Sequence, residues 1–345
     1  MIYKLKSNRV YRSYFGGKRL DSLYGAENPN DSQFPEEWVA STVRAFNVGR
    51  EDIVEGLSIT ENDETLCDII AKDPETVLGK AQFKIHGGKM SILVKLLDAA
   101  ERLFIQCHPT IPFAKEFFGS DFGKTECWYI LSAEPDSCVY LGFNKNITRE
   151  KWIECFEKQD VDGMLGLMHK ISVKKGDLVF VAGGVPHAIG GGCLLCELQE
   201  PSDLMVIPER TSKSGITLPD KKMHGGLGFQ KMFDCFEYVG YSEDELKAKY
   251  VRHPKLKPNT LTPIVDGSLT EKFRMDCALI DGETLVEYRD KYAVAVVIEG
   301  NCELRSKSVN ISLKAGDELF ITADEGEFKL KGEATLMICT PNMEV

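Results

Sequence analysis

From Ile2 to about Gly56 the chain carries short apolar pieces broken by glycine, asparagine and proline, which predicts a loop-rich β opening. Asp63 to Gly79 (DETLCDIIAKDPETVLG) then places apolar residues at helical spacing and stops at glycine, so a helix is expected there. SILVKLLDAAERLFIQCHP alternates short apolar runs with turn residues, and ECWYIL opens another apolar run at Glu126; both read as strands. Trp152, Ile153, Phe156, Met164 and Leu167 fall at helix-like intervals between Arg149 and His169, and from Ile171 the strand pattern returns. A helical, basic-rich patch follows from Phe229 to Lys249, and Pro254, Pro258 and Pro263 mark a linker. The remainder reads as short strands between polar turns, with Gly267, Gly282, Gly300, Gly316, Gly326 and Gly332 as the turn formers, a pattern that fits a small all-β domain.

An internal echo supports a pair of related barrels. SVKKGDLVFVA (Ser172–Ala182) recurs as SLKAGDELFIT (Ser312–Thr322), and a Lys-x-Gly-Asp turn before an apolar strand is how a β-roll turns a corner. The second copy continues ADEGEF, with no histidine where the first has PHAI. The expected architecture is therefore mainly β, with a few helices. Residues 1–255 are expected to form the first barrel, with helical insertions, and residues 256–345 a C-terminal β-domain lacking the histidine of the first.

Against this pattern a few polar residues stand out. Gln106 and His108 are two apart, so on a strand they project from one face. Glu126 follows a Gly-Lys-Thr turn at the head of an apolar strand, a costly place for an unpaired carboxylate. His187 closes the run DLVFVAGGVPHAI. Two imidazoles, a carboxylate and an amide oxygen on β elements suit a borderline divalent ion that keeps one position open. Lys95 interrupts the apolar run SILVKLL, where a lysine must find a partner or face a cavity, and a lowered pKa beside a metal would suit it to carry protons. Lys124, two residues before Glu126, is a second such candidate, and Arg210, with Lys213 nearby, is placed to clamp an anion. His86 and His224 read as residues of glycine-rich loops, and His169 and His253 receive no role.

Bulk properties narrow the classes. At 345 residues with 43% hydrophobic content, the chain can bury a substantial core. A formal charge of −11 argues against nucleic acid and anionic membranes as partners, but leaves an anionic small substrate open. No apolar run approaches the length of a bilayer span and Met1-Ile2-Tyr3-Lys4 starts no secretory signal, so a cytoplasmic location is expected. The eleven cysteines, several inside apolar runs (Cys127, Cys138, Cys277, Cys339), read as reduced core residues, as does the Cys193-x-x-Cys196 pair, whose members face opposite sides of a strand. No GxxxxGK[ST], strand–GxGxxG–helix or GxSxG pattern is present, which disfavours nucleotide binding and a serine-centred elbow.

LVKLLDAAERLFIQCHP, GKTECWYIL, and AGGVPHAIGGG followed by CELQEPSD, with weaker pieces YFGGKRL and EEWVAS, run in order through roughly the first 210 residues. In these the chain resembles the short bacterial form of the type I mannose-6-phosphate isomerases, zinc-dependent enzymes of the cupin fold. The resemblance implies cupin or jelly-roll barrels and one Zn2+ per chain. It implies Gln106, His108, Glu126 and His187 as ligands, though some short members use only the three non-amide ones. Lys95 and Lys124 match lysines of the family's pocket. The family's catalytic arginine closely follows the Ser-Asp of the last motif. Here Ser202-Asp203 is followed by LMVIPER, so Ile207 falls near the expected place and Arg210 three residues on.

The implied reaction is reversible isomerisation of mannose 6-phosphate and fructose 6-phosphate through a cis-enediol, with Lys95 or Lys124 moving protons and Arg210 meeting negative charge. Two alternatives stand beside it: an isomerase of a different or unphosphorylated sugar, and a sugar-binding cupin that holds metal without turnover. An oxidising cupin is disfavoured, because Gln106 stands where a His-x-His pair would begin.

Overall fold

Strands buried on both faces read as continuous apolar runs, and stretches of the C-terminal strands, residues 293–297 and 336–341, are of this kind. The computed structural model describes residues 1–342. In chain order its strands are β1 (Ile2–Lys4), β2 (Arg9–Val10), β3 (Glu36–Val39), β4 (Leu93–Ala99), β5 (Glu126–Ala133), β6 (Cys138–Phe143), β7 (Met168–Ser172), β8 (Leu178–Val181) and β9 (His187–Ile189). They continue as β10 (Cys193–Gln199), β11 (Val251–Arg252), β12 (Thr260–Val265), β13 (Phe273–Glu287), β14 (Ala293–Ser306), β15 (Asn310–Lys314), β16 (Glu318–Ile321) and β17 (Glu327–Pro341).

Two antiparallel sheets make the first barrel, one ordered β11-β8-β5-β10-β4-β3-β2 and the other β7-β6-β9. Val139, Leu141, Ile171 and Ile189 of the smaller sheet share a core with Leu97, Ile130 and Leu195 of the larger. A third sheet, β1-β16-β14-β17-β13-β12 with β15 beside β14, makes the second unit. Its alternate residues serve two cores. Val294, Val296, Phe320, Met337 and Cys339 pack against the first barrel, while Ala293, Ala295, Val297, Leu319, Leu336 and Ile338 fill the second barrel's own interior. The repeated Lys-x-Gly-Asp segments adopt the same turn. The aspartate carboxylate accepts the lysine backbone N–H at 3.0 Å in Lys174–Asp177 and 2.9 Å in Lys314–Asp317, with the intervening glycine at φ 91° and 88°.

Several expectations change. β1 pairs with β16, so residues on the N-terminal side of the expected 255/256 division complete the second sheet. The Asp63–Gly79 helix is two helices, Leu66–Lys72 and Pro74–Leu78, because Asp73 caps a new start at Pro74; a further helix, Lys80–His86, absorbs His86. The C-terminal strands are long, not short. Gly282, Gly300 and Gly332 lie inside β13, β14 and β17, where positive φ bends a strand instead of ending it. Pro263 sits within β12, an edge strand, where a missing N–H is tolerated. The cysteines are free, and all but Cys67 are buried. No helix of the described residues is long and apolar enough to cross a membrane.

At Gly300 a Cβ would fall 2.1 Å from the Glu333 carbonyl oxygen at φ +77°, whereas at Gly326, φ +75°, it would meet open space. Gly300→Ala is expected to cost on the order of 2 kcal/mol more than Gly326→Ala, read from paired denaturant midpoints. Equal midpoints would contradict the bend.

Candidate metal centre and its pocket

Three segments converge on Pro109, and glycines permit the approach. A Cβ on Gly123 would lie 2.6 Å, and one on Gly183 2.9 Å, from the Pro109 carbonyl oxygen. Gly184, at φ 88°, donates its N–H to the His108 carbonyl at 2.8 Å. Gln106 and His187 exchange both backbone hydrogen bonds at 2.9 Å, which sets their chains side by side. The GGVPHA signature is thus a close-approach device that delivers His187 to His108. Glu126 arrives from β5, next to both.

His108, Glu126 and His187 are fully buried and offer ligand atoms all within 4.8 Å of one another. His108 Nε2 lies 3.2 Å from Glu126 Oε2, and His187 Nε2 lies 3.4 Å from Glu126 Oε1. Each imidazole hydrogen-bonds a backbone carbonyl through Nδ1 at 2.9 Å, His108 to Leu204 and His187 to Val185. That anchors the tautomer and turns both Nε2 lone pairs toward the carboxylate. Burial, aided by Lys124, lowers the His108 pKa; burial, with His108 and Lys124 beside it, takes His187 down to about 3. Both rings are therefore neutral. Burial would raise the Glu126 pKa, but the Lys124 ammonium holds it well below the usual range. Lys124 Nζ contacts His108 Nε2 at 2.7 Å and Glu126 Oε2 at 2.6 Å. Glu126 Oε1 and His187 Nε2 are buried without a hydrogen-bond partner among the described residues. Two neutral imidazole nitrogens and an anionic oxygen, two of them orphaned, are a donor set that fits a zinc-like ion.

The pocket beside this trio follows from strand register. One row across the larger sheet aligns Trp38, Lys95, Glu197 and Trp128, so their side chains share a face. Lys95 Nζ lies 3.1 Å from Glu197 Oε1 and 3.7 Å from Glu36 Oε2, and Trp128 Nε1 donates to Glu197 Oε2 at 3.1 Å. Arg12 joins from the N-terminal segment, donating to Glu36 at 3.0 Å and to both oxygens of Asp203 at 3.2 and 3.0 Å. Burial acts to raise the Glu36 pKa, yet Arg12 and Lys95 carry it down to about 2. Lys222 also lines the pocket. Its pKa is lowered by burial and by Arg12, and its one hydrogen bond among the described residues goes to the Phe46 carbonyl at 3.2 Å.

The sequence candidates separate accordingly. His108, Glu126 and His187 meet, and Lys124 touches two of them. Gln106 is half-buried and lines the pocket with Lys95 and Lys124. Lys95 departs from its expected lowered pKa: although burial opposes the charge, Glu197 and Glu36 prevail and raise it. Arg210 is not brought to the pocket. Its side chain is 36% exposed and pairs with Asp220 at 2.5 Å, whereas Ile207 does line the pocket and the guanidinium there belongs to Arg12. His224 follows the helix Asp220–Met223 and accepts the N–H groups of Gly226 and Gly228 through Nδ1. Arg12, Glu36, Glu197 and Lys222 are pocket residues that the sequence patterns do not single out. A carboxylate inside the apolar run CLLCEL was the available signal for Glu197, by the same burial argument that singled out Glu126.

The fold and the buried trio define a cupin-type β-barrel with a candidate metal centre opening on a charged pocket. The family model described as phosphomannose isomerase type I, catalytic domain, matches residues 2–124, and the one described as mannose-6-phosphate isomerase, cupin domain, matches residues 268–341. The chain belongs to the type I mannose-6-phosphate isomerases, a family of aldose–ketose isomerases. It is 26% identical over 255 residues to mannose-6-phosphate isomerase ManA of Bacillus subtilis, covering 74% of this chain and 76% of that one. The crystal structure of the mannose 6-phosphate isomerase from Bacillus subtilis superposes with a TM-score of 0.75 at 24% identity, covering 98% of this chain and 99% of that one. A mannose 6-phosphate isomerase solved in a zinc-bound holo form superposes with a TM-score of 0.74 at 18% identity, covering 99% of each chain.

Two arginine variants should differ sharply. Arg12→Met strands the buried Glu36 and Asp203 charges and is expected to cost about 3–5 kcal/mol. Arg210→Ala, on the surface, should stay within about 0.5 kcal/mol. Chemical denaturation of both would reverse the assignment if Arg210→Ala were the damaging change.

Proposed function

We propose that this chain interconverts mannose 6-phosphate and fructose 6-phosphate, with one Zn2+ held by His108, Glu126 and His187 and with Gln106 beside them as a further oxygen donor. The observation that carries the reading is the pair of buried, unpartnered atoms, Glu126 Oε1 and His187 Nε2, next to a pocket lined with cations. When bound, the ion supplies positive charge where the sugar's carbonyl oxygen becomes negative. The relative solved with zinc supports the choice of metal.

The chain's own groups divide the remaining work. Glu197 Oε1 faces the pocket, with the Lys95 ammonium near it but outside hydrogen-bond geometry. It takes the proton from C2 of the open-chain aldose, and the electrons of that C–H bond form the C1=C2 bond of the cis-enediol. Lys124 delivers a proton to O1. Return of the carbon-bound proton from Glu197 to C1, with transfer of the O2 proton to the Lys124 amine, gives the ketose and restores both groups. Lys95, kept charged by Glu197 and Glu36, holds the base in place. Arg12, engaged with Glu36 and Asp203, serves the same wall. Lys222, free of a carboxylate contact in the pocket, anchors the phosphate.

A coupled assay tests this directly. Dialysis against a chelator should abolish isomerisation and added Zn2+ should restore it; activity indifferent to chelation would contradict the reading. Lys222→Met should raise KM for mannose 6-phosphate by roughly 10- to 100-fold while leaving turnover of free mannose little changed. An equal effect on both sugars would remove the phosphate from Lys222.

A further inference from the structure

The segment carrying Lys124 and Glu126 is gripped from its far side by a residue of the C-terminal unit. Lys272, just ahead of β13, donates from Nζ to Thr125 Oγ1 at 2.7 Å and to Glu200 Oε2 at 2.5 Å. The same Glu200 oxygen accepts the Thr125 backbone N–H at 2.8 Å, and the Glu200 N–H returns a bond to the Thr125 carbonyl at 3.0 Å. Thr125 lies between the two site residues, so on an extended chain its side chain points away from theirs. Glu200 is 3% exposed, and Lys272 is its ion-pair partner among the described residues.

We propose that Lys272 is a positioning residue for the metal centre: through Glu200 and Thr125 it fixes the placement of Lys124 and Glu126, so the C-terminal β unit completes the site without touching it. The inference rests on the metal-binding reading above. The physical link is short. Without Lys272 the buried Glu200 carboxylate loses its ion-pair partner and must admit water or shift toward solvent, and either change weakens its hold on the Thr125 N–H. The residue after Thr125 is the ligand, and its carboxylate must meet two imidazoles that are themselves pinned by backbone carbonyls. Partners of this outer kind govern metal affinity by about 10- to 100-fold in other sites.

The test is a Zn2+ titration of the full-length, metal-stripped chain against a chromophoric chelator, with kcat, KM and thermal midpoints measured alongside. Lys272→Met should weaken zinc binding by about 10- to 100-fold and lower kcat with KM nearly held. Lys272→Arg, which keeps a charge and donors for both acceptors, should recover most of the affinity. Thr125→Val strands no charge; it should show a smaller loss of affinity at a midpoint near wild type, and it decides the matter if Lys272→Met does not fold. Affinity and kcat within twofold of wild type in Lys272→Met, or a loss that Lys272→Arg fails to recover while Thr125→Val binds normally, would reduce Lys272 to a stabilising tie and overturn the proposal. A wild type that binds zinc without isomerising mannose 6-phosphate would contradict the proposed reaction alone, leaving the affinities to judge Lys272. A wild type that binds no zinc would overturn both.

Discussion

A carboxylate removed entirely from water keeps its charge only where positive groups replace the lost hydration, and Glu126 has no exposed surface. The features of the site follow from this constraint. Lys124 answers one oxygen. The other oxygen faces His187 Nε2, itself a lone pair seeking a positive partner. Two acceptors turned toward each other repel unless a cation lies between them, and the surrounding backbone fixes them in that arrangement. The Nδ1 anchors, the glycines around Pro109 and the Gln106–His187 backbone pair all prevent relaxation.

The same logic extends along the sheet. Lys95, Glu197, Glu36, Arg12 and Asp203 form a buried chain of alternating charge, each group offsetting the desolvation of the next. Arg12 and Lys95 also lie over the Trp38 ring, at 4.9 and 4.7 Å, which places the cations against apolar surface without leaving them unmatched. A pocket so lined carries fixed charge of both signs, each group held by its neighbours.

The legible parts of the site were those written locally. His108 beside Pro109, His187 after Pro186 and Glu126 at the head of an apolar strand each break a pattern within a few residues. Lys95 was legible as a buried charge, but not its raised pKa, because the partners responsible come from β3 and β10. Arg12 and Asp203 are 191 residues apart, and no local pattern links them. Lys222 sits in a DKKM turn of helix that reads as surface. Arg210 reads as an anion clamp with Lys213 nearby and lies just past the position the family resemblance implies; the fold turns it outward, and the pocket's guanidinium comes from Arg12 in the N-terminal segment. In the C-terminal unit, glycine reads locally as punctuation between strands. The same residue bends a continuous strand where its neighbour across the sheet also bends, as Gly282 does opposite Gly332, and that distinction depends on pairing that only the fold supplies.

X-ray absorption at the zinc K-edge of the zinc-loaded chain tests the central claim most directly. A metal held by His108, Glu126 and His187 predicts a first shell of nitrogen and oxygen only, at about 2.0–2.2 Å, with the outer-shell pattern of two imidazoles. Sulfur at about 2.3 Å, or a shell without imidazole, would place the metal elsewhere and contradict the account.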